Sequence, residues 1–223
     1  MRLAMATDGG SLEGEATRKI LLDTGERLFA IRGVVSTSIR SVNDAAGVGA
    51  ASVHYHFGSK AHLLRAILMR RGDVVVAAIE ERARALLAQP EPPSVLDVVR
   101  ATYDAHCQLI QEEPEGGGYW EQIIGQLNLA DDPLIPDLFG QLTKQLIKVL
   151  LRCYPQVKPA ILRQYWFIAS FSLINLLGVY VNRSRDEKGQ GAKVTPEFAQ
   201  GVLEFVATGL EGALRSHIRG LAP

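Results

Sequence analysis

The sequence predicts an all-α protein of about nine helices, in which a three-helix N-terminal head is joined to a larger helical domain. Three observations predict this class. Apolar residues recur at helical spacing along most of the 223-residue chain. No run of alternating apolar and polar residues is long enough for a sheet. Clusters of Pro, Gly and Asp separate the periodic segments.

Residues 1–14 lack the long apolar core of a signal peptide and read as a disordered lead-in. Helices are then expected at 15–32, 38–46, 50–57 and 60–88, the last open to disturbance at Gly72. Pro90, Pro92 and Pro93 stop that long helix, and another follows at 94–112, where Val95, Val98, Val99, Thr102 and Ala105 keep helical spacing. Pro114 to Gly118 reads as a loop. Further helices are expected at 119–129, 133–153, 159–183 and 195–218, divided by Asp131-Asp132-Pro133, by Pro155 to Pro159 and by the polar loop Arg185 to Lys193. By domain, 1–14 is the lead-in, 15–62 the head, and 63–223 a larger helical domain.

The most specific stretch is Thr37 to Lys60, TSIRSVNDAAGVGAASVHYHFGSK. Ala45-Ala46-Gly47-Val48-Gly49 places small residues where two helices cross closely, and Gly47 where the chain must leave a helix with φ > 0. This is a helix-turn-helix signature. Ser38 can cap the first helix, with Ile39, Val42, Ala45 and Ala46 facing inward. Val53 and Phe57 anchor the second and leave Ala50, Ala51, Ser52, His54, Tyr55 and His56 to face a partner. Small residues at its start let the backbone enter a major groove, and Ser, His and Tyr offer donors and acceptors. Ser59 caps the next helix. Lys60, in its first turn, opposes the helix dipole, a placement that makes sense against a phosphate. His56 either packs between head helices or faces the partner; Thr37 and Arg40 serve either near phosphate or as a cap and a surface charge.

The chain as a whole is neutral, with 24 basic and 24 acidic residues. The charge is divided unevenly: residues 1–71 carry ten Lys or Arg against six Asp or Glu. The excess of positive charge sits with the motif, as phosphate attraction requires. Cys107 and Cys153 are 46 residues apart without a Cys-x-x-Cys pair, which speaks for free thiols in a reducing cytoplasm rather than a disulfide or zinc site. His54 and His56 diverge on a helix and have no third ligand nearby, so no metal is expected. The neighbours His106 and Cys107 do not face each other on a helix, and no phosphate loop, dinucleotide fingerprint or nucleophile elbow is present; an enzyme is not expected, nor a cofactor. Tyr165 to Val181 is an uncharged run of 17 residues. Ser170, Ser172, Asn175 and Gly178 interrupt it, and a helix apolar all round also results when one face meets its own core and another a second subunit, so no membrane span is expected.

Over roughly Thr17 to Leu68 the sequence resembles the tetracycline-repressor (TetR) family of transcriptional regulators. The resemblance lies in the aliphatic helix Ile20 to Phe29 with Gly33 after it, in Thr37 and Arg40, in Ala45 to Val48, and in Tyr55-His56-Phe57-Gly58-Ser59-Lys60. The sequence departs from the family's usual pattern at Gly49-Ala50-Ala51 and at His54, both on the reading surface, which leaves the operator open. The resemblance implies a homodimeric repressor that binds a double-stranded DNA operator and responds to a small molecule. DNA contacts would come from Thr37, Ser38, Arg40, Ala50, Ala51, Ser52, His54, Tyr55, His56 and Lys60. An effector, largely apolar by the residues available, would sit among Tyr103, His106, Trp120, Ile123, Ile124, Leu127, Phe139, Leu142, Trp166, Phe167 and Ser170, unless these form ordinary core. Its binding would spread the heads through the helix beginning at Lys60. The last two helices are expected to form the dimer contact, the final one through Phe198, Val202, Phe205, Val206, Leu210, Ala213 and Leu214. Two heads related by a two-fold axis would read half-sites about 34 Å apart in a pseudo-palindrome. The alternative is a ligand-binding or scaffold protein that keeps the head without operator recognition.

Overall fold

The computed structural model describes residues 8–183 and 194–220. Among them are nine helices and no strand: α1 Asp8–Arg32, α2 Ile39–Ala46, α3 Ser52–Phe57, α4 Lys60–Ala88, α5 Val95–Glu112, α6 Pro114–Leu129, α7 Leu134–Cys153, α8 Pro159–Arg183 and α9 Pro196–Arg219. The chain divides into two compact units, Met1–Arg70 and Arg71–Pro223. The division falls eight residues beyond the expected boundary because Leu63, Leu64, Ile67 and Leu68 of α4 are buried with the head.

In the first unit Leu21, Leu28, Phe29, Val42, Val53, Phe57, Leu63 and Ile67 form a dry centre. Ser38 and Ser41 cap α2 reciprocally, each side chain bonding the other's backbone N–H at 3.1 Å. Gly47 ends α2 in the left-handed region, φ 66°. Arg70 on α4 grips α1 through Asp23 at 2.6 Å and the buried Glu26 at 2.7 Å. Burial opposes ionisation of Asp23, but its hydrogen bonds and charge interactions with Arg70 and Lys19 outweigh this and hold the carboxyl below its ordinary value.

In the second unit α6 packs on α5, α7 and α8, while α9 covers α5 and α8. Trp120, Ile123, Ile124, Leu146, Val149, Leu150, Leu162 and Leu173 lie inside. Arg152 of α7 closes the end of α4, donating to the carbonyls of Leu86 and Leu87 at 2.8 and 3.0 Å, which lie in the last turn where no helical N–H follows, and to the Gln89 carbonyl just beyond it at 2.6 Å. Helix α8 is long and apolar enough to cross a membrane by length and composition. Its buried side chains Leu162, Trp166, Ala169, Leu173, Leu177 and Val181 pack within the bundle.

Several expectations need correction. Residues 8–14 are helical, since α1 begins at Asp8; 1–7 lie outside the described residues, as does the expected loop Arg185 to Lys193. The segment Pro114 to Gly118 is the first turn of α6 rather than a loop. Pro114 suits that turn because its missing N–H needs no helical acceptor. Gly117 is there for contact: a Cβ would stand 2.8 Å from the Leu109 carbonyl, so only glycine lets α6 fold back this closely on α5. Helix α4 is unbroken at Gly72. Helix α3 begins at Ser52, which leaves Ala50 and Ala51 in the turn before it.

Candidate nucleic-acid interface and an internal cavity

In the head, two short helices are locked by one side chain that the sequence reading passed over. Asn43 is fully buried. Its Nδ2 donates to the Ala50 carbonyl at 2.6 Å, and its Oδ1 accepts from the Val53 N–H at 3.2 Å. The N-cap position of α3 is Ala51, which has no side-chain acceptor to offer. Asn43 therefore caps α3 from the neighbouring helix and fixes the angle of the turn. The signal was an amide on the inner face of α2, where Ala45, expected inside, is exposed.

With α3 anchored by buried Val53 and Phe57, Tyr55 is 85% exposed and His54 is exposed beside it. His54 Nδ1 lies 2.9 Å from the Gly58 carbonyl. A carbonyl can only accept, so Nδ1 carries the hydrogen, and a neutral ring presents Nε2 outward as an acceptor. Ser52 and His56 are half-buried, and the His56 ring meets Tyr55 edge-on at 4.9 Å. Ala50 and Ala51 are exposed and supply backbone without bulk. Arg40 is exposed, with Asp44 at 3.7 Å one turn along, a pair too solvated to hold the guanidinium.

At the flanks Thr37 and Ser38 are both engaged within the head, Ser38 as the cap expected of it. Thr37 is 1% exposed, and its hydroxyl donates to the Leu28 and Gly33 carbonyls at 3.2 and 2.9 Å, so its side chain seals the end of α1. The Ser38 hydroxyl is engaged in the α2 cap. Lys60 Nζ donates to the Val35 carbonyl at 3.2 Å and lies 6.0 Å from the Phe29 ring centre, keeping two further ammonium hydrogens for an outside acceptor.

The second unit holds a cavity of about 130 Å³. Of the residues expected to line it, His106, Phe139, Leu142, Trp166, Phe167 and Ser170 do so; Tyr103, Trp120, Ile123, Ile124 and Leu127 are buried core outside the lining. Trp120 is a second layer, its ring 5.9 Å from His106 and 6.3 Å from Phe139. The sequence reading missed Ile79, Thr102, Asn128, Thr143, Leu146 and Arg163 in the wall. Thr102 is a hydroxyl within the apolar stripe of α5, and that was its only signal. His106 Nδ1 is 2.7 Å from Oε1 of Glu121, and both residues are buried. Burial pushes the Cys107 and Cys153 thiols up to about 11, which keeps them protonated at neutral pH. Among the described residues no group of three His, Cys, Asp or Glu gathers as metal ligands.

The chain thus carries a small helix-turn-helix head, with His54 and Tyr55 exposed on its third helix, and after it a helical bundle with a largely apolar cavity. Residues 21–67 match the family described as bacterial regulatory proteins, tetR family. The HTH-type transcriptional regulator TtgR of Pseudomonas putida is 36% identical over 56 residues, 25% of this chain and 27% of that protein. The HTH-type transcriptional repressor KstR2 of Rhodococcus jostii is 33% identical over 86 residues, 35% of this chain and 41% of that protein. The matched stretch thus spans about a quarter to two fifths of these relatives' length. Solved structures extend the likeness as fold alone. The TetR-family regulator PfmR of Thermus thermophilus has TM-score 0.56 at 20% identity, covering 84% of this chain and 96% of that one. The ketosteroid regulator KstR2 of Mycobacterium tuberculosis has TM-score 0.54 at 21% identity, covering 95% and 98%. Together these findings show a head similar to that of the tetR family at residues 21–67 and, for the rest of the chain, a likeness of fold alone.

Proposed function

We propose that the protein is a homodimeric transcriptional repressor that binds a pseudo-palindromic operator through its head and releases it when a small, largely apolar molecule occupies the cavity. The observation that carries the DNA reading is the clamped α3, with His54 and Tyr55 exposed on a helix that Asn43 holds in place. In this reading Ser52, His54 and Tyr55 meet base edges or phosphate, Ala50 and Ala51 let the backbone enter the groove, and Arg40 and Lys60 hold phosphate. Thr37 and Ser38 then act through the helix ends they stabilise. With so few side chains for direct contact, specificity leans on dimer spacing and DNA shape.

The dimer reading is supported by the outer faces of α8 and α9. Ile168, Val179 and Phe205 are 53%, 52% and 70% exposed, a concentration of large apolar groups that a second copy would cover. An apolar groove between Tyr165, Ile168, Phe205, Gly209 and Ala213 follows the same face. Gly201, Gly209 and Gly212 have nothing within 4 Å of an added Cβ, leaving the α9 backbone open to close approach. For the response to ligand, α4 contributes Ile79 to the cavity wall and Leu63 and Ile67 to the head core. A ligand that favours one setting of this helix lowers operator affinity by its differential affinity for the two states. The cytoplasm is the compartment such a regulator requires.

Selection of bound sequences from random DNA at near-physiological salt tests the operator reading. Enrichment of a palindrome is expected. A flat result would instead favour a scaffold or ligand-binding protein, for which the small exposed residues Ala50 and Ala51 are the motivating observation.

A further inference from the structure

The cavity wall carries two polar groups that the apolar lining does not account for. Thr102 and His106 lie one turn apart on α5 and both line the space. Thr102 is 4% exposed, and its hydroxyl has no hydrogen-bond partner among the described residues. A buried hydroxyl left unpaired is a standing cost that a ligand can remove. His106 uses Nδ1 on Glu121, and Nε2 makes no bond among the described residues.

The state of Nε2 follows from charge. His106 and Glu121 are 1% and 0% exposed, and a buried pair avoids net charge. A neutral pair is either imidazolium with carboxylate or imidazole with carboxylic acid. In the first both ring nitrogens carry hydrogen. In the second the acid's hydrogen points at Nδ1, and Nε2 carries the ring's own. A third neutral form, with the acid's hydrogen on Glu121 Oε2, would bury that hydrogen without an acceptor, because Oε2 has no partner among the described residues; in the other two Nε2–H is a donor. The Thr102 hydroxyl is a second donor on the same wall.

Resting on the effector reading above, we propose that the cavity takes a compact, uncharged, largely apolar molecule carrying one hydrogen-bond-accepting oxygen, held between the Thr102 hydroxyl and His106 Nε2–H. Leu142, Leu146, Trp166 and Phe171 receive its apolar body. A cavity of about 130 Å³ is close to the ~150 Å³ that seats a benzene ring, so a single substituted ring or a short branched chain fits within it. Arg163 also borders the space, but it is exposed, and water already satisfies its charge.

Calorimetry on the full chain without DNA tests this with acetophenone and α-methylstyrene, which differ only in oxygen against methylene. Acetophenone should bind about tenfold more tightly, the scale of a net hydrogen bond to a buried site. Thr102→Val removes an unpartnered hydroxyl without changing shape, so the variant should fold as well as the parent. It should weaken acetophenone binding about three- to tenfold and leave α-methylstyrene unchanged. Equal affinity for the two probes, or no binding of either at millimolar concentration, overturns the proposal. So does tighter binding of phenylacetate than of acetophenone that Arg163→Gln removes, because recognition would then be of an anion. Should acetophenone bind as expected while affinity for a selected operator stays constant, the ligand assignment stands and the effector reading falls.

Discussion

Asn43→Ala should uncouple the two helices of the reading unit. The substitution removes the 2.6 Å bond to the Ala50 carbonyl and the 3.2 Å bond from the Val53 N–H at a site with no exposure. Alanine strips both groups of their partner and leaves a small void, and each orphaned buried group costs about 1–3 kcal/mol. The Val53 amide is the more exposed to loss, because the N-cap residue Ala51 cannot replace the acceptor. Some relief comes from water entering the turn, so the head should lose about 2–4 kcal/mol in total. That corresponds to at least about a thirtyfold fall in hydrogen-exchange protection of the Val53 amide, with operator affinity falling in parallel. Asn43→Asp keeps an acceptor for Val53 but loses the donor to Ala50, and should fall between parent and alanine variant. A Val53 amide as protected in Asn43→Ala as in the parent would refute the clamp.

Lys60→Ala should weaken binding to all DNA sequences and reduce the dependence of log K on log salt by about one unit, whereas Thr37→Val should lower the melting temperature and leave that slope unchanged. A changed base preference for Lys60→Ala, without loss of affinity, would show that its role is misassigned. Asp23, whose folded value is lowered, contributes stability that is complete above the ordinary carboxylate pKa of 3.8 and is lost as pH falls through the lower folded value. Arg70→Met should flatten that acid limb in unfolding titrations, and an unchanged limb would count against the pairing. Phe205→Glu places a charge on the outer face of α9 and should yield a folded monomer by sedimentation. A dimer of undiminished affinity would move the interface elsewhere.

The all-α class was legible because periodicity, Pro and Gly report local backbone preference, and the helices formed from 60, 134 and 159 onward begin within a residue of where the pattern puts them. The head was legible for the same reason: Gly47 sits where a left-handed residue is needed, and Val53 and Phe57 are its anchors. Pro114 to Gly118 misled because three successive glycines read as a break, although here Gly117 allows contact with α5. Within the cavity, aromatic residues on one helix face could not be sorted into lining and core. Trp166 borders the space and Trp120 stands behind it, a difference set by how α6 and α8 pack.

The sequence by itself determined the helices, the turn between α2 and α3 and the family to which the head is similar, since each depends on residues near one another in the chain. Only the tertiary structure decided that Thr37 turns inward, that Asn43 reaches seven and ten residues ahead to cap α3, and that Thr102 and His106 share a wall while Glu121 holds the imidazole. These are hydrogen bonds and burials between separate helices. A side chain's partner there is set by which face its neighbour presents, and spacing along a single chain does not carry that information.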